Sequence, residues 1–427
     1  MASSIARKIC IVTTNRADYG RMRPVMQAIQ KDPRLALQVV VGSHLFFDYF
    51  FWYLRHGEPL SVWKSLPWYL RARRAALLGS DEDVWRRDNF TRLLREDGFP
   101  IHARIPMFLE GGNSRVMTKI AGLCLLGITD IFERLKPDVV LVNGDRFELL
   151  PVAFAAVSSN IRLAHIEGGD VSGTLDESTR HAITKLAHIH FPATEMSGAR
   201  IRQMGEDPRF VFPVGSPVID MLTELDLSLD NTVFDRNGSG GGERIDVKKP
   251  FLLILQHPVT TRYEENQRDM EEIIAAVDQT PQQKLFLTPN IDAGSDGVSA
   301  ALREYRDRKP RGTAFFKNFL PHDYYRLFSH ASVAIGNSSS FIREGAFLGV
   351  PAVLVGDRQR RRERGENVCE VLPERQEILR AIERQRAHGS YPCDTRFGDG
   401  TASEKIADIL ARMSPPIQKQ FHDLLRS

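Results

Sequence analysis

The segment between residues 165 and 181 gathers acidic side chains on a chain rich in glycine. It reads HIEGGDVSGTLDESTRH and directly follows an apolar run. Carboxylates that lie close together raise the pKa of some members of the group, so one can be protonated while a neighbour is ionised. Such a group can remove a proton from carbon and return it, which is general acid–base catalysis. The candidate catalytic residues are Asp145, Glu167, Asp176, Glu177 and His181.

Two other roles remain open for these acids. Asp176 and Glu177 can stabilise the N-terminus of a helix that begins near Ser178, because the helix dipole favours negative charge there. Clustered acids can also hold a metal ion, but their spacing matches no metal-binding motif, and proton transfer at carbon needs no metal. We therefore predict neither a metal nor another cofactor.

The segment GNSSSFIREGAF, residues 336–347, has the features of a phosphate-binding turn. Its glycine and serines end an apolar run and open a helix, where backbone N–H groups bind phosphate and hydroxyls add donors. Simple N-capping by serine is the alternative. However, no Glu or Gln stands three residues after any of these serines, so a capping box is absent. Glu344 is then available to accept hydrogen bonds from both ribose hydroxyls, which indicates a nucleotide.

Basic side chains follow several other apolar runs. Arg16, Arg146 and Arg358 stand at such positions and can neutralise a diphosphate through bidentate contacts. His257 follows a buried run and can reach a phosphate, although a neutral core histidine is the alternative. A lone arginine in a loop is usually solvated, but three of them beside a serine-rich helix start favour a sugar nucleotide. A diphosphate held by cations is a good leaving group, and the acids then move the proton on the neighbouring carbon.

The elements that position these residues are short apolar runs alternating with amphipathic segments of helical length. Continuously apolar runs predict strands buried on both faces, in parallel sheets with right-handed crossovers. Ligands bind beyond the carboxyl ends of such strands, so two facing sheets would bring the candidate residues to one cleft. The predicted strands are residues 8–14, 37–43, 138–144, 162–169, 188–194, 210–216, 251–257, 284–290, 332–338 and 351–357.

The bulk composition is that of an ordinary globular protein. The chain has 427 residues, of which 42% are hydrophobic, and this suggests two domains with a sizeable core. A net charge of +3 gives no reason to expect nucleic acid as a partner. No run approaches the roughly 18 apolar residues of a membrane span, and the N-terminal apolar run is too short for a signal peptide. With four widely spaced cysteines, a cytoplasmic location is expected.

The domain organisation follows from a change in composition. Asp, Asn, Gly and Lys dominate after residue 222, which indicates a linker. The alternative is a long surface loop within one domain. The predicted units are an N-terminal Rossmann-like catalytic domain (1–222), a linker (223–250), a C-terminal Rossmann-like nucleotide-binding domain (251–405), and a helix that packs back on the first domain (406–427).

An aromatic insertion occupies residues 46–90 of the first domain. All four tryptophans of the chain fall between Trp52 and Trp85, and basic residues follow the aromatic ones. A basic, aromatic element of this kind can lie on an acidic membrane surface, here through residues 46–74. Because Asp48 and Glu58 interrupt the pattern, we favour packing on the protein itself or across a dimer interface.

Eight motifs of the chain occur in the order found in one protein family. They are NRADYGRMRPVM, VVVGSHL, GDRFE, HIEGGDVSGTLDESTRHAITKLAH, QHPVTT, PNIDAGS, GNSSSFIREGAF and GDRQRRRERGENV. Through them the chain resembles the hydrolysing UDP-N-acetylglucosamine 2-epimerases of sialic acid biosynthesis. The resemblance covers nearly the whole chain except the aromatic insertion and the linker.

The resemblance implies a GT-B-like α/β fold with two Rossmann-type parallel-sheet domains facing a central cleft, and a homodimer or tetramer. It also implies that UDP leaves C1 while the C2 proton is removed, that water then adds, and that C2 is reprotonated on the opposite face, giving UDP and N-acetylmannosamine. Asp145, Glu167 and Asp176 match the acid–base positions of the family. The positions that match its UDP-binding residues are Arg16, Gly20, Arg146, His257, Asn290, Asn318, Ser338, Ser339, Glu344 and Arg358.

Departures from the family leave alternatives open. The aromatic insertion follows GSHL, near where the sugar is expected, so a UDP-2,4-diacetamido-2,4,6-trideoxyhexose is an alternative substrate. Asn318 stands where animal members carry a histidine, so one UDP contact can differ. Animal members have an arginine at the position of Ala300, so feedback inhibition by CMP-sialic acid is not carried over. A GT-B glycosyltransferase and a non-catalytic UDP-sugar sensor remain as other classes.

Overall fold

A computed structural model describes residues 6–14, 16–44, 89–109, 113–237, 240–289 and 294–423. Most of the aromatic insertion, including the segment considered for membrane contact, therefore lies outside the described residues. So do Asn290 and the side chain of Arg16.

The first sheet has six parallel strands in the spatial order β3-β2-β1-β4-β5-β6 among the described residues. This is the order of a doubly wound dinucleotide-binding sheet. Alternate side chains of β1 enter the two cores: Ile9 and Ile11 face one, and Cys10 and Val12 face the other. The strands are β1 (Arg7–Thr13), β2 (Leu35–His44), β3 (Ala103–Phe108), β4 (Val139–Asn143), β5 (Arg162–Ile166) and β6 (Ile189–Phe191).

The second sheet has the order β13-β12-β11-β8-β9-β10-β7, with only β7 antiparallel among the described strands. Leu253 of β8 faces one core of this sheet and Ile254 faces the other. The strands are β7 (Gly241–Gly242), β8 (Phe251–Leu255), β9 (Gln283–Leu287), β10 (Thr313–Phe316), β11 (Val333–Gly336), β12 (Ala352–Val355) and β13 (Val368–Val371). The predicted fold class, two Rossmann-type α/β domains, is confirmed.

Helices cover both faces of each sheet. In the first half of the chain they are α1 (Arg16–Lys31), α2 (Asn89–Glu96), α3 (Ser114–Leu135), α4 (Leu149–Ser158), α5 (Leu175–Leu186) and α6 (Glu195–Gln203). In the second half they are α7 (Pro217–Glu224), α8 (Thr232–Arg236), α9 (Asn266–Val277), α10 (Ser295–Asp307), α11 (Pro321–His330), α12 (Arg343–Leu348), α13 (Arg375–His388) and α14 (Ala402–Arg412). No helix of the described residues is both long enough and apolar enough to cross a membrane.

One predicted strand is wrong, and four of the described strands were not predicted. Residues 210–216 make only an isolated bridge between Val211 and His190, because a short 3-10 helix ends at Phe210 and Pro213 cannot donate to a ladder. The unpredicted strands β3, β7, β10 and β13 are two to six residues long, and β3 buries only alternate side chains. A search for continuously apolar runs overlooks such strands.

The segment predicted as a linker contributes to the second core. Phe234 of α8 is buried there, as are Ile245 and Val247. The chain later returns, so that α14 buries Ile406 and Leu410 in a core of the first sheet beside α1.

The two passages of chain between the sheets touch each other. The backbone N–H of Ser216 donates to the carbonyl of Phe397 at 2.6 Å. The carboxylate of Asp220 accepts from the backbone N–H groups of Ala402 at 3.1 Å and Ser403 at 2.6 Å, at the start of α14. Residues 215–220 and 397–403 therefore form one packed crossover between the domains.

Candidate active site

A cleft between the two domains combines acids from the first sheet with arginines from both domains. Its first-domain side is formed by the ends of β4 and β5 and the start of α5, and its second-domain side by α12 and the loop after β12. Its ionisable lining residues are Arg21, Asp145, Glu167, Asp176, Arg180, Arg343, Arg358 and Arg362. Because opposite charges alternate across the cleft, it can bind an anion and also carry out proton transfer.

The three acids predicted from motif position come together in this cleft. Each is paired with an arginine. Asp145 accepts from Arg180, which is almost fully buried. Glu167 accepts from Arg343 at 2.5 Å, and Asp176 lies 3.4 Å from the Arg358 guanidinium.

Two of these pairs join the domains, because Arg343 and Arg358 belong to the second one. A third cross-domain pair links Asp170 to Arg362 at 2.5 Å. The backbone N–H of Gly173 also donates to the carbonyl of Arg358 at 3.0 Å. The two domains are therefore closed on each other. In this closed arrangement the acids form ion pairs with the arginines.

The HIEGG motif makes a tight turn that aims Glu167 into the cleft. Glu167 has φ +60°, a left-handed conformation that is uncommon for a residue with a side chain. Gly169 follows at φ +75°, and a Cβ there would lie 2.2 Å from the carbonyl oxygen of Ser197. Only glycine fits at this point, which explains the glycine three residues after the end of β5.

His165 of the same motif supports the loop that carries Asp145. It is fully buried, and its Nε2 lies 2.8 Å from the carbonyl oxygen of Gly144. Its Nδ1 lies 3.1 Å from Thr184 Oγ1. Burial lowers the pKa of His165 to about 4, so the ring is neutral at pH 7. A neutral ring that donates from Nε2 to the carbonyl carries no proton on Nδ1, and the Thr184 hydroxyl beside it donates to the carbonyl of Arg180 at 2.9 Å.

The arginines lower the pKa values of the acids in the cleft, whereas crowding of the acids was expected to raise some of them. Burial alone would raise the pKa of Glu167, but Arg343 and its other cationic neighbours lower it to about 2. Burial likewise opposes ionisation of Asp145, and Arg180 and Arg362 outweigh it and hold the pKa well below its usual range. Both carboxylates are therefore ionised in the closed arrangement, contrary to the expectation that crowding would keep one of them protonated.

Glu177 and His181 do not join the other three candidates. The Glu177 carboxylate accepts from the backbone N–H of Ser172 at 2.5 Å, and its other oxygen lies 3.8 Å from His181 Nε2. Glu177 lines a neighbouring hollow together with Arg360 and Arg361. The helix begins at Leu175, three residues before the predicted start, so Asp176 and Glu177 both lie in its first turn.

The serine-rich segment forms the second-domain side of the cleft. Ser338 caps a short 3-10 helix, accepting from the backbone N–H of Ser340 at 3.4 Å. Ser339 accepts from Arg21 of the first domain at 3.3 Å. Glu344 is fully buried, and Tyr325 donates to its Oε1 at 3.2 Å. Its Oε2 is 3.9 Å from Arg343 Nε and accepts no hydrogen bond from the described residues, so an acceptor remains available.

The remaining predicted UDP-binding residues lie around this region in different environments. The Arg146 guanidinium donates to buried Glu148 at 2.7 Å. His257 is buried two residues after the end of β8, where the side chain of Asn337 forms hydrogen bonds with both its backbone N–H and its carbonyl. Gly20 of α1 faces Pro321 of the second domain, and a Cβ on it would lie 3.4 Å from Pro321 Cγ. Asn318 is exposed in the loop after β10, outside the lining of the cleft.

Several lining residues were not singled out from the sequence, although the motifs contained them. They are Arg21, Ser172, Arg180, Arg343, Gln359 and Arg362. Each lies close in sequence to a predicted residue, within the quoted motifs. No described group of three or more His, Cys, Asp or Glu side chains could hold a metal ion.

The closed cleft leaves a cavity of only about 40 Å³. Pockets for small molecules usually measure about 300–1,000 Å³. The ion pairs fill the space that a nucleotide sugar would need. A ligand of that size therefore requires the domains to separate or the arginines to turn away from the acids.

Comparisons with known proteins agree with this fold and cleft. The family model for UDP-N-acetylglucosamine 2-epimerase matches residues 86–411. The chain is 33% identical over 416 residues to the UDP-N,N'-diacetylbacillosamine 2-epimerase (hydrolyzing) of Legionella pneumophila, covering 97% of this chain and 98% of the relative. It is 27% identical to the UDP-N-acetylglucosamine 2-epimerase of Neisseria meningitidis, covering 98% and 99%. The chain belongs to the UDP-N-acetylglucosamine 2-epimerase family.

Two solved structures have the same fold. The UDP-GlcNAc 2-epimerase of Neisseria meningitidis bound to UDP-GlcNAc aligns with a TM-score of 0.70 at 19% identity, covering 95% of this chain and 100% of the other. The Methanocaldococcus jannaschii UDP-GlcNAc 2-epimerase in complex with UDP-GlcNAc and UDP aligns with a TM-score of 0.72 at 18% identity, covering 94% and 99%. The predicted GT-B-like arrangement of two domains around a cleft is thereby confirmed.

Proposed function

We propose that the protein is a hydrolysing 2-epimerase that converts UDP-N-acetylglucosamine to UDP and N-acetylmannosamine. The observation that carries this proposal is the convergence of Asp145, Glu167 and Asp176 on arginines of both domains in one cleft. Elimination of a sugar-bound diphosphate at C1 requires cations on the leaving group and a base at C2. The cleft has both kinds of group within the reach of one ligand.

The ion pairs also give a role to the substrate's diphosphate. Arg343 and Arg358 can form bidentate contacts with phosphate oxygens, in place of the carboxylates they now bind. A carboxylate that loses its arginine partner has a higher pKa and becomes a stronger base. Binding of the diphosphate would therefore prepare the leaving group and the base in one step. One carboxylate removes the C2 proton as UDP departs, which leaves a double bond between C1 and C2. An acid then protonates C2 on the opposite face, and water bonds to C1 and gives up its proton to a base.

A second candidate substrate is UDP-2,4-diacetamido-2,4,6-trideoxyhexose. It is favoured by the 33% identity to the Legionella pneumophila diacetylbacillosamine enzyme, against 27% to the Neisseria meningitidis enzyme. The chemistry at C1 and C2 is the same for both sugars. Only the groups at C4 and C6 distinguish them, and an assay with each sugar identifies the substrate.

Incubation with each UDP-sugar in deuterated water tests the reaction and the substrate together. We expect free UDP and a free 2-epimerised sugar that carries deuterium at C2, because the proton removed from C2 exchanges with solvent before one is returned. Proton NMR of the products, with phosphorus NMR of the nucleotide, gives both readouts. A 2-epimerised sugar still attached to UDP would contradict hydrolysis. Free sugar without deuterium or inversion at C2 would contradict epimerisation.

Glu344 is proposed to bind the ribose through its two carboxylate oxygens. Hydrogen bonds to charged groups contribute about 1.5–3 kcal/mol, so Glu344→Ala should weaken UDP binding about 10- to 100-fold. Isothermal titration with UDP and with inorganic diphosphate separates the ribose from the phosphates, and affinity for diphosphate should change little. Tyr325→Phe is the matched control, since it removes the donor to Glu344 Oε1 and keeps the carboxylate. Equal losses for both ligands would remove Glu344 from ribose binding.

We further propose a homodimer or tetramer without a cofactor, with UDP-sugar as the ligand and a cytoplasmic location. These properties are common expectations from the motifs and the family. Sedimentation of the purified protein tests the first of them directly.

A further inference from the structure

The carboxylate of Glu167 is held by a residue outside both the motifs and the cleft lining. We propose that Ser216 is a positioning residue that orients Glu167 for proton transfer when the two domains are closed. This inference rests on the proposed function, because it gives Ser216 a task in the same reaction. It concerns the crossover between the domains, where the sequence predicted the end of a strand.

The hydroxyl of Ser216 is directed to Glu167 and not to its own helix. Ser216 is the N-cap of α7, with Pro217 at the first helical position, yet its side chain makes no capping hydrogen bond. Serine at an N-cap ordinarily accepts from a backbone N–H two or three residues later. Here the hydroxyl donates to Glu167 Oε1 at 2.5 Å, and the residue is fully buried. The Ser216 hydroxyl thus binds a buried carboxylate and makes no hydrogen bond to the start of its own helix. This choice of partner points to a role for that carboxylate.

The position of Ser216 depends on both passages of chain between the domains. Its backbone N–H donates to the carbonyl of Phe397 in the returning passage at 2.6 Å. Just before it, Gly215 has φ +95°, and a Cβ there would lie 2.8 Å from the Cα of Gly398. The two backbones are in contact at this point. A change in the angle between the domains therefore has to move Ser216 relative to the strand end that carries Glu167.

The Glu167 carboxylate therefore accepts hydrogen bonds from two directions. Arg343 of the second domain binds Oε2 at 2.5 Å, and Ser216 of the crossover binds Oε1. If Arg343 binds the substrate's diphosphate in place of Glu167, the Ser216 hydroxyl still fixes the rotation of the Glu167 carboxylate about its last side-chain bond. Proton transfer requires such fixed geometry, because the base must lie within hydrogen-bond reach of the proton it removes. Closure of the domains and orientation of the base are thereby linked through one hydroxyl.

The decisive variant is Ser216→Ala, assayed for kcat, KM, C2 deuterium exchange and UDP affinity. We expect kcat and C2 exchange to fall together by at least about tenfold, while KM and UDP affinity stay within about twofold. The hydrogen bond favours the ionised form of Glu167, so its loss should also move the acidic limb of the pH–rate profile to higher pH. Ser216→Cys, which keeps the size and a weak donor, should fall between Ser216→Ala and the wild type.

Thr280→Ala is the control for loss of a buried hydroxyl, since Thr280 donates to the carbonyl of Val277 next to α9. It should leave kcat and the pH profile unchanged. A folded Ser216→Ala protein with wild-type kcat and pH profile would overturn the proposal, as would a loss of kcat matched by an equal loss of UDP affinity. If Ser216→Ala does not fold, Ser216→Cys decides, and wild-type kcat in it would overturn the proposal.

A measurement without turnover keeps this inference separate from the proposed function. A carbon-13 titration of the Glu167 carboxyl, with its signal assigned by its loss in Glu167→Gln, should give a higher pKa in the Ser216 variant than in the wild type. Equal titration curves would refute the hydrogen bond itself. A wild-type protein that releases UDP from neither sugar would refute the proposed function and leave the titration result standing.

Discussion

Asp176→Asn is expected to slow UDP release by about two to four orders of magnitude while the protein still binds UDP. General acid–base groups contribute roughly 10²- to 10⁴-fold, and asparagine has nearly the same shape without the ability to exchange a proton. Asp176 enters the cleft and lies 3.4 Å from Arg358, so its loss removes a group beside the diphosphate-binding arginines. Rates of UDP release and titration with UDP measure the two effects.

Glu177→Gln is the matched control, because the neighbouring carboxylate lies on the same helical turn. It turns away to the backbone N–H of Ser172, so its replacement should cost less than about tenfold in rate. Comparable losses in the two variants would mean that the structure does not distinguish the two acids. Full activity in Asp176→Asn would exclude Asp176 from the reaction.

The different directions of these two acids show what the sequence could not provide. Neighbouring residues of an α-helix point about 100° apart, so the start of the helix decides which one faces the cleft. The sequence placed that start near Ser178, where both acids would have been outside the helix. The structure starts it at Leu175, and Asp176 then faces the arginines while Glu177 closes back on the preceding loop.

The strands that carry the candidate residues were predictable, because their signal is local. The strands β4 and β5 lie within the runs DVVLVNG and RLAHIEGG, and almost all of their side chains are buried. Ligand-binding residues follow the carboxyl ends of parallel strands, so Asp145 and Glu167 could be placed at one edge of one sheet. A similar apolar run at residues 210–216 is not a strand, and it contributes Ser216 to the crossover instead.

The partners of the acids were not predictable, because they depend on how the domains close. Arg343 is 176 residues from Glu167 in the chain. Nothing in the motif FIREG indicates that its arginine lines the cleft. From the sequence alone, the motif therefore indicates a role for Glu344 and none for Arg343. The direction of the carboxylate pKa values was missed for the same reason, since the arginines that lower them come from distant segments.

Replacement of Arg343 with methionine is expected to destabilise the protein by about 3–5 kcal/mol, the cost of leaving one member of a buried ion pair alone. Arg343 and Glu167 are 3% and 4% exposed, so water cannot take the place of the missing cation. Activity should also be lost, since the arginine that binds the leaving group is gone. Denaturant or thermal unfolding monitored from pH 5 to 8 measures the stability.

The pH dependence of this loss has a definite sign. In the wild type the pKa of Glu167 is about 2, below the value of about 4.3 in unfolded chains. The contribution of the Arg343–Glu167 pair to the free energy of unfolding is therefore complete above about pH 4.3. It is lost as the pH falls through 2. Without Arg343, we expect burial to outweigh the other groups that lower the pKa of Glu167, so that this pKa rises above its unfolded value. The ionised carboxylate then destabilises the variant at high pH, and this cost shrinks as the pH falls through the raised pKa. The stability gap between variant and wild type should therefore narrow from pH 8 to pH 5.

The double variant Arg343→Met/Glu167→Gln separates the charge from the loss of packing. Glutamine has no charge to desolvate, so the double variant should regain most of the stability and lose the pH dependence of the gap, while remaining inactive. Arg343 also lies 3.9 Å from Glu344, but the single and double variants both lack Arg343 and both keep Glu344, so the difference between them reports the charge on Glu167. Two outcomes would contradict this interpretation: equal stability of the single and double variants, or a stability difference between the single variant and the wild type that widens toward pH 5. Either result would mean that Arg343 does not hold Glu167 in its ionised form. The proposed exchange of the arginine between carboxylate and diphosphate would then have no basis.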